Sequence, residues 1–361
     1  MKIGLIGLNQ TGKTTLFSLL TGKEDTEGAL SGKGSANIGT CIVPDRRVDF
    51  LSNLYKPKKT TYAKIELTDI AGFSTSGESR NTGASKFLND VRPCDALVHV
   101  LRAFKSDNVI HDSGSIDPAR DLEAVEMEML FADLEMIEKR ISRIKAGKKV
   151  TKEHEIEISL LERCFRQLED GGSIADIGFT EHDRIFLRGF AFLTDKPRLA
   201  VINLDETQWT EKTWPQHNAL YEMCKMRSIP VIELCADMEL EISRLPLEDR
   251  QLFMTEIGIE QPGITSLAKA LYSLLGLISF MTIGDDEVRA WTIDNGTIAK
   301  TAAGKIHTDI ERGFIRAEVI KFENLYELGS IISVKEKGLF RLEGKEYLVI
   351  DGDIINFRFN V

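Results

Sequence analysis

Residues 7 to 14 read Gly7-Leu8-Asn9-Gln10-Thr11-Gly12-Lys13-Thr14, a complete G-x-x-x-x-G-K-[ST] pattern. The apolar run Lys2–Ile6 precedes it, and the helical pattern Thr15-Leu16-Phe17-Ser18-Leu19-Leu20 follows. Phosphate oxygens need many donors in a small volume, and backbone N–H groups curled around a loop at a helix start supply them. Glycine at 7 and 12 removes the Cβ that would block that curl. The loop predicts binding of a nucleoside triphosphate, ATP or GTP. The chain from Asn9, Gln10, Thr11 and Gly12 to Lys13, Thr14 and Thr15 would form the cradle. Lys13 would reach the β- and γ-phosphates, and the Thr14 hydroxyl would ligate Mg²⁺.

Further apolar runs rich in β-branched residues fall at 64–70, 96–101, 198–204 and 229–235, with helical patterns between them. Continuous apolar strands alternating with helices predict an α/β fold: a doubly wound, mostly parallel sheet covered on both faces. The alternation breaks between 117 and 171. Here Met127, Leu130, Leu134, Ile137, Ile141 and Ile144 step at heptad spacing, and Ile158, Leu161, Phe165 and Leu168 form a second seam. Two seams joined by a polar turn predict an inserted antiparallel helical hairpin, with Asp117 as cap and Pro118 at its first position. Past 280 the texture turns to short strand-like runs at 288–293, 314–320, 347–350 and 354–359. Asp351-Gly352 is a hairpin-turn signal between the last two. The expected domains are 1–116 with 186–280, the insertion 117–185, and a small β-rich domain at 281–361.

A net charge of −10 argues against a broad basic surface for naked nucleic acid and against sequence-specific DNA binding. The five cysteines lie far apart, without any C-x-x-C pair, as suits a reducing cytoplasm rather than a disulfide frame. No signal peptide is read at the start. The membrane-like stretch 264–283 carries Lys269 and is expected to be a buried helix, so no membrane association is expected.

Asp69-Ile70-Ala71-Gly72 ends one strand. Asp69 is the expected second magnesium partner, and Gly72 would bring its N–H towards the γ-phosphate. Asn203-Leu204-Asp205-Glu206 follows another strand, where a GTPase carries Asn-Lys-x-Asp to read guanine. Glu206 is a methylene longer than that aspartate, and Leu204 replaces the lysine that would flank the ring. Both changes weaken guanine readout. Cys235 and Ala236, after the next strand, would supply backbone contacts to the base.

These residues resemble the YchF proteins, or Obg-like ATPases, of the translation-factor-related GTPase class. The resemblance covers essentially the whole chain. It includes Lys56-Pro57-Lys58-Lys59-Thr60, Asp69-Ile70-Ala71-Gly72, Asp95-Ala96 and Asp117-Pro118. It is most specific in Glu287-Val288-Arg289-Ala290-Trp291-Thr292, in 302–319, and in Phe357-Arg358-Phe359-Asn360-Val361. The resemblance implies a P-loop NTPase domain, a coiled-coil insertion and a ubiquitin-like TGS domain. It also implies a preference for ATP, or acceptance of both ATP and GTP, through an N-x-x-E motif that Asn203 and Glu206 fit. Family members lack the switch glutamine; Phe73 stands in its place here. A loop histidine has been proposed as the substitute, and His111 matches its position.

Three departures stand out. Gln10 replaces the P-loop asparagine that holds potassium in ion-activated relatives, which argues against K⁺ activation. Lys33 falls where the first switch carries its magnesium-capping threonine. The second switch, 73–83, lacks the usual Lys-Gly-Ala-Ser order. The expected function is slow hydrolysis of ATP, with GTP as an alternative, by a monomer that associates with the ribosome or a ribosomal subunit. Alternatives are a nucleotide-gated binding module whose hydrolysis is incidental, or a GTP-preferring family member. Lys145, Lys148, Lys149 and Lys152 at the hairpin tip, and Lys56, Lys58 and Lys59, form two basic spots that could meet rRNA phosphate.

Overall fold

The computed structural model describes residues 1–22, 37–72, 80–106, 109, 111, 113–147, 149–259 and 261–360. The chain opens with β1 (Lys2–Ile6), α1 (Lys13–Thr21), β2 (Asn37–Ile42), α2 (Arg46–Tyr55), β3 (Lys59–Thr61), β4 (Lys64–Asp69), α3 (Arg80–Val91) and β5 (Ala96–Arg102). The middle holds α4 (Pro118–Lys145), α5 (Lys152–Glu169), α6 (Glu181–Leu187), β6 (Arg198–Asn203), α7 (Glu206–Glu211), α8 (His217–Met226), β7 (Val231–Leu234), α9 (Ala236–Arg244) and α10 (Leu247–Glu256). Last come α11 (Gly263–Leu274), β8 (Leu277–Ile283), β9 (Glu287–Asp294), α12 (Ala299–Ile306), α13 (Thr308–Arg312), β10 (Phe314–Lys321), α14 (Phe322–Leu328), α15 (Ile331–Glu336), β11 (Arg341–Glu343) and β12 (Asp353–Phe359).

Two compact units emerge. One comprises Met1–Gly39 with Glu66–Gly263, the other Thr40–Ile65 with Ile264–Val361. This division assigns 40–65 and 264–280 to the unit that holds the C-terminal strands, whereas the sequence pattern suggested a break at 280 and kept 40–65 with the phosphate loop.

In the first unit β4, β1, β5, β6 and β7 are neighbours in that order. The pairs of β1 with β4 and β5, of β5 with β6, and of β6 with β7 are all parallel. Every residue of β5 is buried, and β6 is buried from Leu199 onward, as strands covered on both faces require. One apolar cluster joins Ile6, Leu97 and Ile70 to Val125 and Met129 of α4; another joins Leu101 and Ile202 to Leu220 of α8. Asp117 caps α4 by accepting the Arg120 N–H at 3.1 Å, with Pro118 in the first turn, where its missing donor costs nothing. Ile137 of α4 packs with Leu161, Cys164 and Leu168 of α5, and Arg140 pairs with Glu157 at 2.6 Å. Thr151 and His154 close a capping box at the start of α5.

The second unit is built on a mixed sheet, ordered β11-β10-β12-β8-β9-β3. Strand β12 runs parallel to β8 and antiparallel to β10, while β3 adds parallel to β9. Phe280, Ile293, Val319, Ile355 and Phe357 pack with Ala299, Ala302 and Ala303 of α12. Asp351 ties this unit together: it accepts the Ser279 N–H at 2.8 Å and pairs with Arg47 of α2 at 2.8 Å.

Two local expectations change. The stretch 264–283 is not one helix, because α11 ends at Leu274 and β8 begins at Leu277. Residues 347–350 do not form the partner strand of a hairpin with β12. They run beside the start of α12, where Tyr347 O accepts the Ala299 N–H at 2.7 Å and Leu348 bridges Ile298. Strand β12 finds its antiparallel partner in β10 instead. Among the described residues no helix is long and apolar enough to cross a membrane.

Candidate functional site

The loop between β1 and α1 is drawn into a ring by its own side chains. The Lys13 side chain folds back so that Nζ donates to Leu8 O at 2.6 Å and to Gly7 O at 3.2 Å. Lys13 is only 7% exposed, so its charge sits at the centre of the loop. Thr11 adds a hydroxyl bond to Leu8 O at 3.2 Å. Gly12 adopts φ +93°, a left-handed conformation, and a Cβ there would collide with Nδ2 of Asn203.

Neighbouring strand ends supply the remaining groups. Thr14 Oγ1 lies 3.1 Å from Asp69 Oδ2, so the two expected magnesium ligands already meet. Hydroxyl and carboxylate are the hard oxygen donors that this ion prefers, and the pair fits it. Gly72 lies against the loop so closely that a Cβ would come within 2.7 Å of both Lys13 Nζ and Asn9 Oδ1. Glycine is therefore required for the approach. The structure thus brings Lys13, Thr14, Asp69 and Gly72 together, while Thr15 continues in α1.

Asn203, 5% exposed, joins three segments. Its Nδ2 donates to Thr11 O at 3.1 Å, and its Oδ1 accepts the Ala236 N–H at 3.0 Å. A cleft of about 780 Å³ opens beside it, lined among others by Lys105, Asp205, Glu206, Trp214, Cys235 and Asp237. Glu206 is exposed there, at the first position of α7. The Leu204 side chain is buried. At 2% exposure it is packed with Leu101, Ile202 and Trp214, so its side chain belongs to the core rather than flanking a ring. Cys235 is likewise buried, its thiol pushed to a higher pKa by burial, which leaves its backbone as the available contact.

His111 is drawn to α4. Its Nε2 lies 2.8 Å from Asp121 Oδ2, its Nδ1 accepts the Ser113 N–H at 3.1 Å, and its side chain is 7% exposed. Asp121 also accepts from Arg120 at 2.9 Å. Asp121 escaped the sequence reading because a single aspartate in a helix has no signal of its own. Lys33 and Phe73 lie outside the described residues, as does Lys148. Of the basic spots, Lys58 and Lys59 are paired with Asp286 at 2.7 Å and Glu287 at 3.4 Å, which neutralises much of that patch. Lys149 and Lys152 are exposed, and Lys145 reaches Glu162 at 3.4 Å.

Comparison with known proteins adds the following. A family model described as 50S ribosome-binding GTPase matches residues 2–137. The C-terminal model of YchF GTPases, described as a protein of unknown function, matches 277–360. The chain is 41% identical over 366 residues to the ribosome-binding ATPase YchF of Bacillus subtilis, covering 99% of each. It is 38% identical over 364 residues to the ribosome-binding ATPase YchF of Haemophilus influenzae, covering 100% of this chain and 99% of that one. The solved structure of the Schizosaccharomyces pombe YchF GTPase superposes with a TM-score of 0.86 at 26% identity, covering 99% of this chain and 97% of that one.

Proposed function

The chain belongs to the YchF family, and from that premise we propose that it binds ATP, with GTP as an alternative, and hydrolyses it slowly in association with the ribosome. The observation that carries this reading is the convergence of Lys13, Gly72 and the Thr14–Asp69 pair on one loop. Lys13 and the loop amides would hold the charge that develops on the transferred phosphoryl group, where preorganised donors contribute most. Thr14 and Asp69 would hold magnesium, which would supply positive charge against that of the phosphates. The Gly72 N–H would face the γ-phosphate.

Turnover is expected to be low, because Phe73 follows Gly72 where a glutamine would orient the attacking water. His111 is the candidate substitute. The cleft beside Asn203 would take the base, with Glu206 and the backbone at Cys235 and Ala236 at its edge. In this reading the insertion around α4 and α5 is the family's coiled coil and the C-terminal sheet its TGS domain. The protein would act as a cytoplasmic monomer, and the exposed lysines at 145, 149 and 152 would be its contact with rRNA phosphate. The relatives' ribosome-binding names support that partner.

Phosphate release by wild type and Lys13→Ala, with ATP and with GTP, tests the hydrolytic reading. Equal release by both proteins would sink it. A second reading, a nucleotide-gated binding module, is favoured by the engagement of both His111 ring nitrogens within the chain. Ribosome capture that needs nucleotide but proceeds equally with a non-hydrolysable analogue would support it over the first.

A further inference from the structure

The strand end at Asn203 holds more than the phosphate loop. The main-chain oxygen of Asn203 accepts the N–H groups of Ala103 and Phe104, each at 3.0 Å. Asp205 Oδ2 accepts the Lys105 N–H at 3.1 Å, while Oδ1 caps α7 by accepting the Gln208 N–H at 2.9 Å. The buried Gln208 side chain answers with both ends. Its Oε1 accepts the Asp205 N–H at 3.1 Å, and its Nε2 donates to Ala103 O at 2.8 Å. From within β5, Arg102 donates to Phe104 O at 3.3 Å and to Val109 O at 2.8 Å, its guanidinium 4.5 Å from the Phe104 ring.

A helix cap needs only the reciprocal Asp205–Gln208 pair. The bonds from Gln208 to Ala103 and from Lys105 to Asp205 do nothing for α7. They spend the second half of each side chain on the chain that leaves β5 towards His111. An amide is suited to this double duty, because one side chain carries both an acceptor and a donor. We infer that Asp205 and Gln208 are positioning residues, which hold Ala103 to Lys105, where the segment towards His111 begins, in register with the strand end that faces the base cleft. A displacement at the base cleft would then be felt at Ala103, Phe104 and Lys105. The kinetic consequence rests on the hydrolytic reading above; the physical link does not.

Gln208→Glu separates the two duties. It keeps an acceptor for the Asp205 N–H but removes the donor to Ala103 O. Asp205→Asn, with its amide nitrogen at the Oδ2 position, keeps the α7 cap and loses the Lys105 bond at an exposed site, so it remains informative where a core variant folds poorly. In the full-length protein, single-turnover hydrolysis at saturating ATP should slow at least about fivefold in each variant. Adding Gln208→Glu to His111→Ala should cost nothing further, since both act on one segment. An unchanged rate, or a double variant slower than His111→Ala alone, overturns the inference. Amide exchange gives a reading that needs no turnover. ATP should protect residues 103–105 in wild type and protect them much less in Gln208→Glu, and equal protection in both overturns the link. Absence of Lys13-dependent hydrolysis in wild type would defeat the hydrolytic reading alone and leave the exchange comparison standing.

Discussion

Asn203→Ala is the perturbation with the most direct structural arithmetic. The side chain serves two buried backbone groups, Thr11 O at 3.1 Å and Ala236 N–H at 3.0 Å, and both residues are at most 2% exposed. Truncation leaves both without that partner, and an unmet buried polar group costs about 1–3 kcal/mol. Water entering the space left behind recovers part of this. The net loss is expected at about 2–4 kcal/mol, which lowers the melting temperature of a unit this size by roughly 5–15 °C.

The same substitution also loosens the phosphate loop, because Thr11 lies in the middle of it. ATP affinity should therefore fall along with stability, and the two losses should appear in one variant. Calorimetric melting of the full chain and titration with ATP measure them, with the exposed Glu222→Ala on α8 as control. Asn203→Asp sharpens the case: it retains the acceptor for Ala236 but sets an oxygen against Thr11 O. A melting shift below about 2 °C in Asn203→Ala, together with wild-type ATP affinity, would refute the claim that this side chain fastens the loop to the start of α9.

Two further outcomes follow from burial. His99 lies in β5 between Ile6 and Ala200, and burial first, then the charges of Arg198 and Lys13, push its pKa down to about 3. The unfolded chain, with an ordinary histidine value near 6.5, binds the extra proton between these limits. Stability from this group is therefore complete above about pH 6.5 and falls as pH drops towards 3, about 2 kcal/mol of it by pH 5. Urea unfolding at pH 7 and pH 5 should show that slope in wild type and a flatter one in His99→Leu; an identical slope in both would remove His99 from the account. The five cysteine thiols are all buried, and burial pushes Cys41 up to about 12 and Cys94, Cys164 and Cys224 to about 11. Iodoacetamide at pH 8 should leave the native protein essentially unlabelled over minutes and label all five in denaturant, and rapid native labelling would contradict the packing.

Legibility in the sequence followed burial on both faces. Strands β1, β5 and β6 are continuous apolar runs because helices cover them on either side, and their limits could be read to within a residue or two. Strands β3 and β11 span three residues each, neither has a fully buried residue, and nothing in Lys59–Thr61 or Arg341–Glu343 announces a sheet. Their pairing is decided by the sheets they join. The run 264–283 is apolar through a helix and a strand alike, so hydropathy could not find the break between Leu274 and Leu277. At the site, the loop and Asp69 were readable because phosphate and magnesium chemistry demands fixed residue types in fixed order. Leu204 stands where a GTPase carries the ring-flanking lysine, and its apolar side chain turns into the core. The Asp205-x-x-Gln208 spacing is a visible capping signal, but its link to Ala103 and Lys105 spans about a hundred residues and exists only in the fold.

The fate of the four residues from 203 to 206 narrows how a base could be read. Asn203 is spent on backbone groups, Leu204 on the core, and both oxygens of Asp205 on N–H groups of Lys105 and Gln208. Glu206 remains as the exposed carboxylate of the motif in the cleft. A carboxylate accepts hydrogen bonds only, and adenine offers its N6 amino group while guanine offers N1 and N2. Charge would therefore not separate the two purines at such a site; reach would. The longer side chain sets its oxygens a methylene farther into the cleft than an aspartate would, which crowds a base that presents two donors at that edge and suits one that presents a single amino group farther out. Selectivity resting on reach is gentler than selectivity resting on an unpaired polar group. Under the proposed reading, such a site would prefer ATP and still accept GTP.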